Sequence, residues 1–106
     1  MKKYFLIESR NPWDSQQVDR NYQIAADLAK AGNEVTLFMV ENAVLATRSS
    51  AKTNGLTNLK QVKLLADDFS LKERGIMPSE IFAGIEVASI NAVVDAMANK
   101  QKMIWL

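Results

Sequence analysis

The sequence contains no cysteine and no histidine among its 106 residues. Without a thiol, the chain itself cannot carry a persulfide, form a disulfide or offer a thiolate to a metal ion. Without an imidazole, it lacks the usual general base and the commonest metal ligand. These absences favour a protein that is not an enzyme, and no cofactor and no metal ion are predicted.

Glycine is also scarce, and neither sign of charge is in large excess. The segment after the first predicted strand has no glycine, which excludes a GxGxxG or Walker phosphate loop there. Thirteen basic and twelve acidic residues leave a net charge of +1. No basic stripe with interleaved aromatic side chains is present, so we expect no nucleic-acid partner.

Long hydrophobic runs are missing as well. No apolar run approaches the roughly 20 residues that span a bilayer. The first residues, Met1 to Lys3, lead directly into a strand pattern without the apolar core of a signal peptide. We therefore expect no membrane association and a cytoplasmic location.

What the sequence does contain is an ordinary globular composition, with 48% hydrophobic and 24% charged residues. This length and composition predict one domain covering residues 1–106. Five short apolar runs alternate with helical patterns, which favours an α/β domain with a mainly parallel sheet and right-handed crossovers. The predicted strands are Lys3–Glu8, 34–40, 62–66, 85–87 and 102–106.

The predicted helices fall between these strands, at 15–31, 42–47, 69–74 and 89–99. Asp14 or Ser15 is the expected N-cap of the first helix, and Gly32 with Asn33 its C-terminal stop. Ser89 is the expected N-cap of the last helix. The segment 48–58, with a turn at Asn54 and Gly55, is predicted to be a flexible surface loop.

Hydrophobic spacing predicts which side chains face the core. Val18, Tyr22, Ala25, Ala26 and Ala29 form one helical stripe, and Ile90, Val93, Val94 and Met97 form another. Trp105 is assigned to the core or to an interface. The residues predicted to be largely buried are Phe5, Ile7, Leu37, Met39, Leu64 and Val94.

Polar residues follow the predicted strands, and the carboxyl ends of parallel strands share one edge where open α/β domains bind their ligands. Two acids stand together after the third strand, at Asp67 and Asp68. Either they form part of a site, or Asp68 or Ser70 caps the next helix and leaves Asp67 free. The ligand-pocket candidates at this edge are Glu8, Ser9, Arg10, Glu41, Asn42, Asp67, Asp68, Ser70 and Arg74.

Three chemistries remain open for that edge. The residues account for a helix cap with solvated glutamates, for a small-ligand pocket, or for an acidic cluster that holds a hard cation such as Mg²⁺. Arg74 followed by Gly75 fits a helix C-cap and also fits a functional arginine near a sheet edge. A receiver-like module is a further alternative.

Three segments carry a family resemblance. The stretch ADDFSLKERG at residues 66–75, AGNEVTLF at 31–38 and GIEVAS at 84–89 resemble, in order, segments of the DsrE/DsrF/TusD-like sulfur-relay family. The resemblance implies a three-layer α/β/α domain, flavodoxin-like in the DsrE/YchN manner, with a five-stranded parallel sheet. It also implies self-association, often as trimers or hexamers, and sulfur-relay partner proteins.

The same resemblance indicates where a sulfur-carrying cysteine would lie. Active family members carry sulfur on a cysteine seven residues before the Arg-Gly pair, a position that corresponds to Asp67 here. A second cysteine of some members corresponds to Ser70. Because both positions hold oxygen side chains, the resemblance implies a non-catalytic partner or scaffold subunit. A small-ligand-binding or metal-dependent domain that uses the acidic cluster is the alternative.

Overall fold

A single five-stranded sheet forms the centre of the computed structural model, which describes residues 1–51 and 55–106. The strand order is β4-β3-β2-β1-β5, and every neighbouring pair is parallel. This confirms the predicted parallel α/β sheet. The strands are β1 (Lys3–Glu8), β2 (Glu34–Met39), β3 (Lys63–Asp67), β4 (Ile85–Ala88) and β5 (Lys102–Trp105).

The connections between the strands contain three α-helices and three short 3-10 helices in the described residues. The α-helices are α1 (Gln17–Lys30), α2 (Asp68–Glu73) and α3 (Asn91–Ala98). The 3-10 helices are Glu41–Thr47, Gly55–Asn58 and Pro78–Glu80. The predicted turn at Asn54 lies outside the described residues.

The two faces of the sheet are covered unequally. On one face, Leu6 and Leu37 pack in the main core with residues of α1, α2 and the first 3-10 helix. On the other face, Phe5 and Phe38 pack in a smaller core that includes α3. The domain is therefore three-layered, as expected, but a single eight-residue helix forms one of the layers.

The direction of winding explains this asymmetry. The chain moves from β1 to β4 in one direction across the sheet, and then returns to place β5 beside β1. Crossovers between parallel strands are right-handed, so reversing the direction of winding puts the next helix on the opposite face. Among the helices of residues 1–51 and 55–106, α3 alone makes that return and α3 alone packs on that face.

Two predicted helix starts are wrong. Helix α1 begins at Gln17, and its N-cap Gln16 makes no side-chain capping bond. Asp14 instead accepts a hydrogen bond from Asn11 Nδ2 at 2.7 Å within the preceding loop. Helix α3 begins at Asn91 with Ile90 as N-cap, although the Ser89 hydroxyl still accepts a bond from the Asn91 amide at 3.2 Å.

The predicted end of α1 is confirmed. Gly32 adopts φ +92°, in the left-handed region that glycine favours, and the Asn33 amide donates to the Leu28 carbonyl at 3.3 Å. These are the features of a left-handed helix stop.

The predicted inner stripe of α3 is wrong for Ile90, Val94 and Met97, and only Val93 of the stripe packs on the core among the described residues. Ala96 is buried against the sheet with Ala92 and Val93 nearby, whereas Val94 is 58% exposed. Ile90 and Met97 are each 64% exposed on the outer side. Small residues let the helix lie close to the sheet, and the large apolar residues point away from it.

Burial elsewhere follows the predictions closely. Phe5, Ile7, Leu37 and Met39 are buried, while Leu64 is only partly buried. The segment 48–58 is predicted from the sequence to be a flexible surface loop, but its described parts are anchored: Leu56 is buried in the main core, and the Ser49 amide donates to the Glu80 carbonyl at 2.7 Å. No helix in the described part of the chain is long and apolar enough to cross a bilayer.

Register neighbours Leu37 and Leu64 provide a test of this core. Leu37 is fully buried, so Leu37→Ala should lower the free energy of unfolding by roughly 3–5 kcal/mol, at the upper end of the range for core leucines. Leu64→Ala should cost only about 1–2 kcal/mol, because part of that side chain already contacts water. Urea denaturation of the two variants measures the difference, and equal losses would contradict the assigned burial.

Candidate functional site at the carboxyl edge of the sheet

Asp67 is the N-cap of α2 and is not the free side chain that the sequence predicted. One carboxyl oxygen, Oδ2, accepts from the Ser70 amide at 3.0 Å and from the Ser70 hydroxyl at 2.6 Å. Asp67 is 9% exposed, and Asp68 makes no capping bond. Helix α2 begins at Asp68, one residue earlier than predicted, so the cap position is Asp67.

Ser70 connects this cap to the neighbouring strand connection. Its hydroxyl accepts a hydrogen bond from the Glu41 amide at 2.8 Å while donating to Asp67. Glu41 has φ +51°, a left-handed conformation that costs a non-glycine residue on the order of 1 kcal/mol. The network therefore holds together the ends of β2 and β3, and it uses both hydrogen-bonding functions of the Ser70 hydroxyl.

Arg74, just after the end of α2, also links this helix to the start of the first 3-10 helix. Its Nε and Nη2 atoms donate to Asn42 Oδ1 at 3.1 and 3.0 Å, and Nη1 donates to the Ser70 carbonyl at 3.2 Å. Gly75 has φ +66°, and its amide donates to the Lys72 carbonyl, which confirms the predicted C-cap. The guanidinium is thus engaged in structural contacts.

Glu8 lies fully buried at the end of β1. Its Oε2 accepts from the amides of Ser9 and Arg10 at 2.9 and 3.1 Å, and its Oε1 accepts from Asn21 Nδ2 at 2.7 Å. Arg10 Nε stands 3.8 Å from Oε2, with the arginine side chain 46% exposed. A buried carboxyl with this many donors holds the β1–α1 loop and the helix in place.

The acidic residues do not converge. Glu8 shares its face of the sheet with Met39 and Ala66 and accepts from Asn21 of α1, whereas the Asp67 carboxyl accepts from Ser70 of α2, so the two carboxyls have separate partners. Glu41 is exposed at the start of the first 3-10 helix. Within residues 1–51 and 55–106, no group of three or more acidic side chains is placed to hold a metal ion. The expectation that the strand ends form one acidic cluster is therefore wrong.

Sequence reasoning missed three residues that shape this region. Asn21 is buried and joins α1 to Glu8, and Asn11 is buried and organises the first loop through bonds from the Trp13 and Asp14 amides, both at 2.9 Å. A polar residue inside the apolar stripe of α1 was the available signal for Asn21. The third residue is Tyr22, whose position in the stripe predicted burial but not the state of its hydroxyl.

The Tyr22 hydroxyl is buried and has no hydrogen-bond partner among the described residues. Burial raises the pKa of this phenol above its ordinary value of 10.0, and the nearby charges of Glu8 and Asp19 raise it further. The neutral form is therefore strongly favoured in the folded protein.

The fold and the carboxyl edge of the sheet define the class of protein. It is a small three-layer α/β/α domain in which hydrogen bonds at this edge cap a helix and fix the adjoining loops. Comparison with family models gives a match to the DsrE/DsrF-like family over residues 2–106. The chain belongs to that family, and the resemblance of the three segments is confirmed.

Solved structures agree on the fold. The ychN protein from E. coli is 18% identical, with a TM-score of 0.85, and the match covers 100% of both chains. A protein of unknown function, MTH1491 from Methanobacterium thermoautotrophicum, is 16% identical with a TM-score of 0.78, and the match covers 99% of this chain and 98% of that one. Comparison with curated proteins gave no match.

The Asp67 cap leads to a prediction about stability. Asp67→Ala should lower the free energy of unfolding by roughly 1–3 kcal/mol, because it removes the cap of α2 and one partner of a buried hydroxyl. Asp68→Ala, the matched control, should cost only about 0.5 kcal/mol, since it removes one charge from the first helical turn. Chemical denaturation distinguishes the two residues. A larger loss for Asp68→Ala would return the cap to Asp68.

Tyr22 leads to a prediction about alkaline pH. Above about pH 10 the unfolded chain releases the phenol proton while the folded protein retains it, so stability should fall by up to about 1.4 kcal/mol per pH unit. Tyr22→Phe should remove this loss, and at neutral pH it should cost little because the hydroxyl has no partner. Tyr4→Phe is the matched control and should keep the wild-type dependence. Urea midpoints between pH 9 and 11 measure the effect, and an unchanged slope in Tyr22→Phe would contradict the assignment.

Proposed function

We propose that this protein is a thiol-free subunit of DsrE/DsrF-like assemblies that acts as a partner or scaffold in the cytoplasmic sulfur relay. The observation that carries the proposal is the state of Asp67. This residue corresponds to the sulfur-carrying cysteine that the family resemblance implies, and its carboxyl accepts two hydrogen bonds from Ser70. A group that caps a helix in this way is engaged in structure and has no thiol to transfer sulfur.

Ser70 supports the same proposal at the second implied thiol position. Its hydroxyl is buried between Asp67 and the Glu41 amide. A nucleophile would need a base to take its proton and an open approach for the substrate. Here the hydroxyl proton is donated to the cap, so we assign the whole edge a structural function.

The outer side of α3 supports self-association. Ile90, Val94 and Met97 recur at helical spacing and are 64%, 58% and 64% exposed, while Trp105 of β5 is 65% exposed. Trp105 pairs in register with Ile7, which places it on the side of the sheet that α3 covers. We call these four residues the α3–β5 apolar face. Groups of large, exposed apolar side chains on one side of a small domain are typical of protein interfaces.

The geometry of the sheet strengthens this argument. Five strands about 4.8 Å apart make a layer roughly 19 Å wide, whereas one helix with its side chains is about 10 Å across. One helix therefore cannot cover the face, and a second copy of the chain would complete the layer. The family resemblance implies trimers or hexamers, and we adopt a trimer or a multiple of it as the expected assembly.

Replacing Val94 tests this proposal. The wild-type protein should be a trimer or a multiple of it at micromolar concentration by light scattering coupled to gel filtration. Val94→Asp should dissociate it, because an acidic group would be buried without a partner in the interface. Since Val94 is exposed in the single chain, the variant should remain folded.

Ile24→Asp is the matched control, because Ile24 is an exposed apolar residue on α1, on the other side of the sheet. This variant should keep the wild-type mass. A monomeric wild-type protein would refute the proposed assembly, and an assembled Val94→Asp variant would place the interface elsewhere.

A further inference from the structure

The amino ends of the strands carry an unusual concentration of lysine. Strands β1, β3 and β5 begin with Lys3, Lys63 and Lys102. Seven of the chain's 13 basic residues lie at these strand starts, in the segments leading into them or at the end of α1, and all seven are exposed. We call these seven the lysine edge: Lys2, Lys3, Lys30, Lys60, Lys63, Lys100 and Lys102.

The lysine edge is poorly compensated. Glu34 starts β2 and stands 3.7 Å from Lys3, with both side chains largely exposed. Asp27, in the last turn of α1, instead accepts a bond from Gln23 at 2.9 Å. In the described part of the chain, the other six lysines form no ion pair. An excess of like charge on one end of a small domain creates a positive potential over that surface.

Two pairs within the lysine edge lie close together. Lys30 and Lys60 both line a groove of about 270 Å³ between the end of α1 and the approach to β3. Lys102 Nζ lies 6.0 Å from the centre of the Tyr4 ring. Lys2, within hydrogen-bonding range and of like charge, lowers the pKa of Lys102. An anion placed between these ammonium groups would relieve their repulsion.

Lys100 adds a conformational observation. It has φ +57° after the end of α3, where the Gln101 amide donates to the Ala96 carbonyl at 3.0 Å. Glycine is the favoured residue at that left-handed position of a helix stop. A lysine there adds charge to the edge at a position where glycine would be the more stable choice.

The net charge of the chain indicates which kind of anion fits. Residue type alone does not select it, because arginine binds both phosphate and carboxylate through its planar fork and lysine binds either as a point charge. Phosphate is the shared chemistry of nucleic acids and anionic membranes, and both present charge over an area larger than this edge. Because the net charge is only +1, the rest of the chain gives such an extended polyanion no attraction, whereas a short carboxylate-rich segment meets only the lysine edge.

We propose that the lysine edge is a docking surface for an acidic face or segment of another protein, rich in Asp and Glu. The row from Lys63 to Lys102 crosses four neighbouring strands, about 14 Å, which suits a short acidic segment laid across the strand ends. The surface is separate from the α3–β5 apolar face. Docking therefore does not depend on self-association, and either can fail without the other.

A charge-reversal experiment tests this docking. Fluorescent poly-L-glutamate is the probe, and its binding is followed by anisotropy at about 50 mM salt, where screening is moderate. The probe should bind the wild-type protein and lose affinity as salt is added. Lys63→Glu/Lys102→Glu should weaken binding by on the order of tenfold or more, because four units of charge change on one surface.

Arg20→Glu/Lys72→Glu is the matched control, with the same charge change at two exposed positions away from the lysine edge. It should keep affinity within about twofold. Should the strand variant fail to fold by circular dichroism, Lys2→Glu/Lys60→Glu makes the same test outside the strands. Lys100→Gly should raise the melting temperature while weakening binding, which separates docking from stability.

Three results would overturn the proposal. One is the absence of poly-glutamate binding by the wild-type protein. Another is equal weakening by the control and the edge variants, which would show only a response to net charge. The third is tighter binding of a DNA duplex, or of vesicles containing phosphatidylserine, since either would identify phosphate rather than carboxylate as the preferred group.

Discussion

The return of the chain from β4 to β5 is the constraint on which the rest of the structure depends. Successive right-handed crossovers put α1, the first 3-10 helix and α2 on one face, and the reversal puts α3 on the other. The first face is a complete core, whereas α3 alone cannot cover five strands. The uneven burial of the two sheet faces and the exposed apolar side of α3 both follow from that topology.

Much of the fold could be predicted from residue patterns, because the apolar runs of the strands are short and separated by clear turn residues. The residue pattern also predicts the helical period of α3, but it predicts the wrong side of the helix to face the sheet. Periodicity identifies the side that carries the large apolar residues, and in α3 that side points away from the sheet. Ala92 and Ala96 mark the side nearer the sheet, and their small size gives little signal against Ile90 and Val94.

The candidate site was harder to predict because it depends on single-residue offsets. Helix α2 begins at Asp68 instead of residue 69, and that one-residue difference makes Asp67 the helix cap and not a free acid. The two buried carboxyls also have separate partners, because Glu8 is held by Asn21 of α1 and Asp67 by Ser70 of α2. Their partners, Asn21 and Ser70, come from helices whose contacts no local pattern specifies.

Charged side chains have internal partners at the carboxyl edge of the sheet and few at the amino edge. At the carboxyl edge, Glu8, Asp67 and Arg74 are satisfied by backbone amides, one hydroxyl, two side-chain amides and one backbone carbonyl of the same chain. Such internal satisfaction stabilises loops and helix ends and leaves few groups for an external ligand. At the amino edge, lysines stand exposed with a single ion pair among the described residues. Groups without internal partners are the ones that still gain from an external partner, so we expect this chain to recognise partners through the α3–β5 apolar face and the lysine edge, and not at the position of the absent thiol.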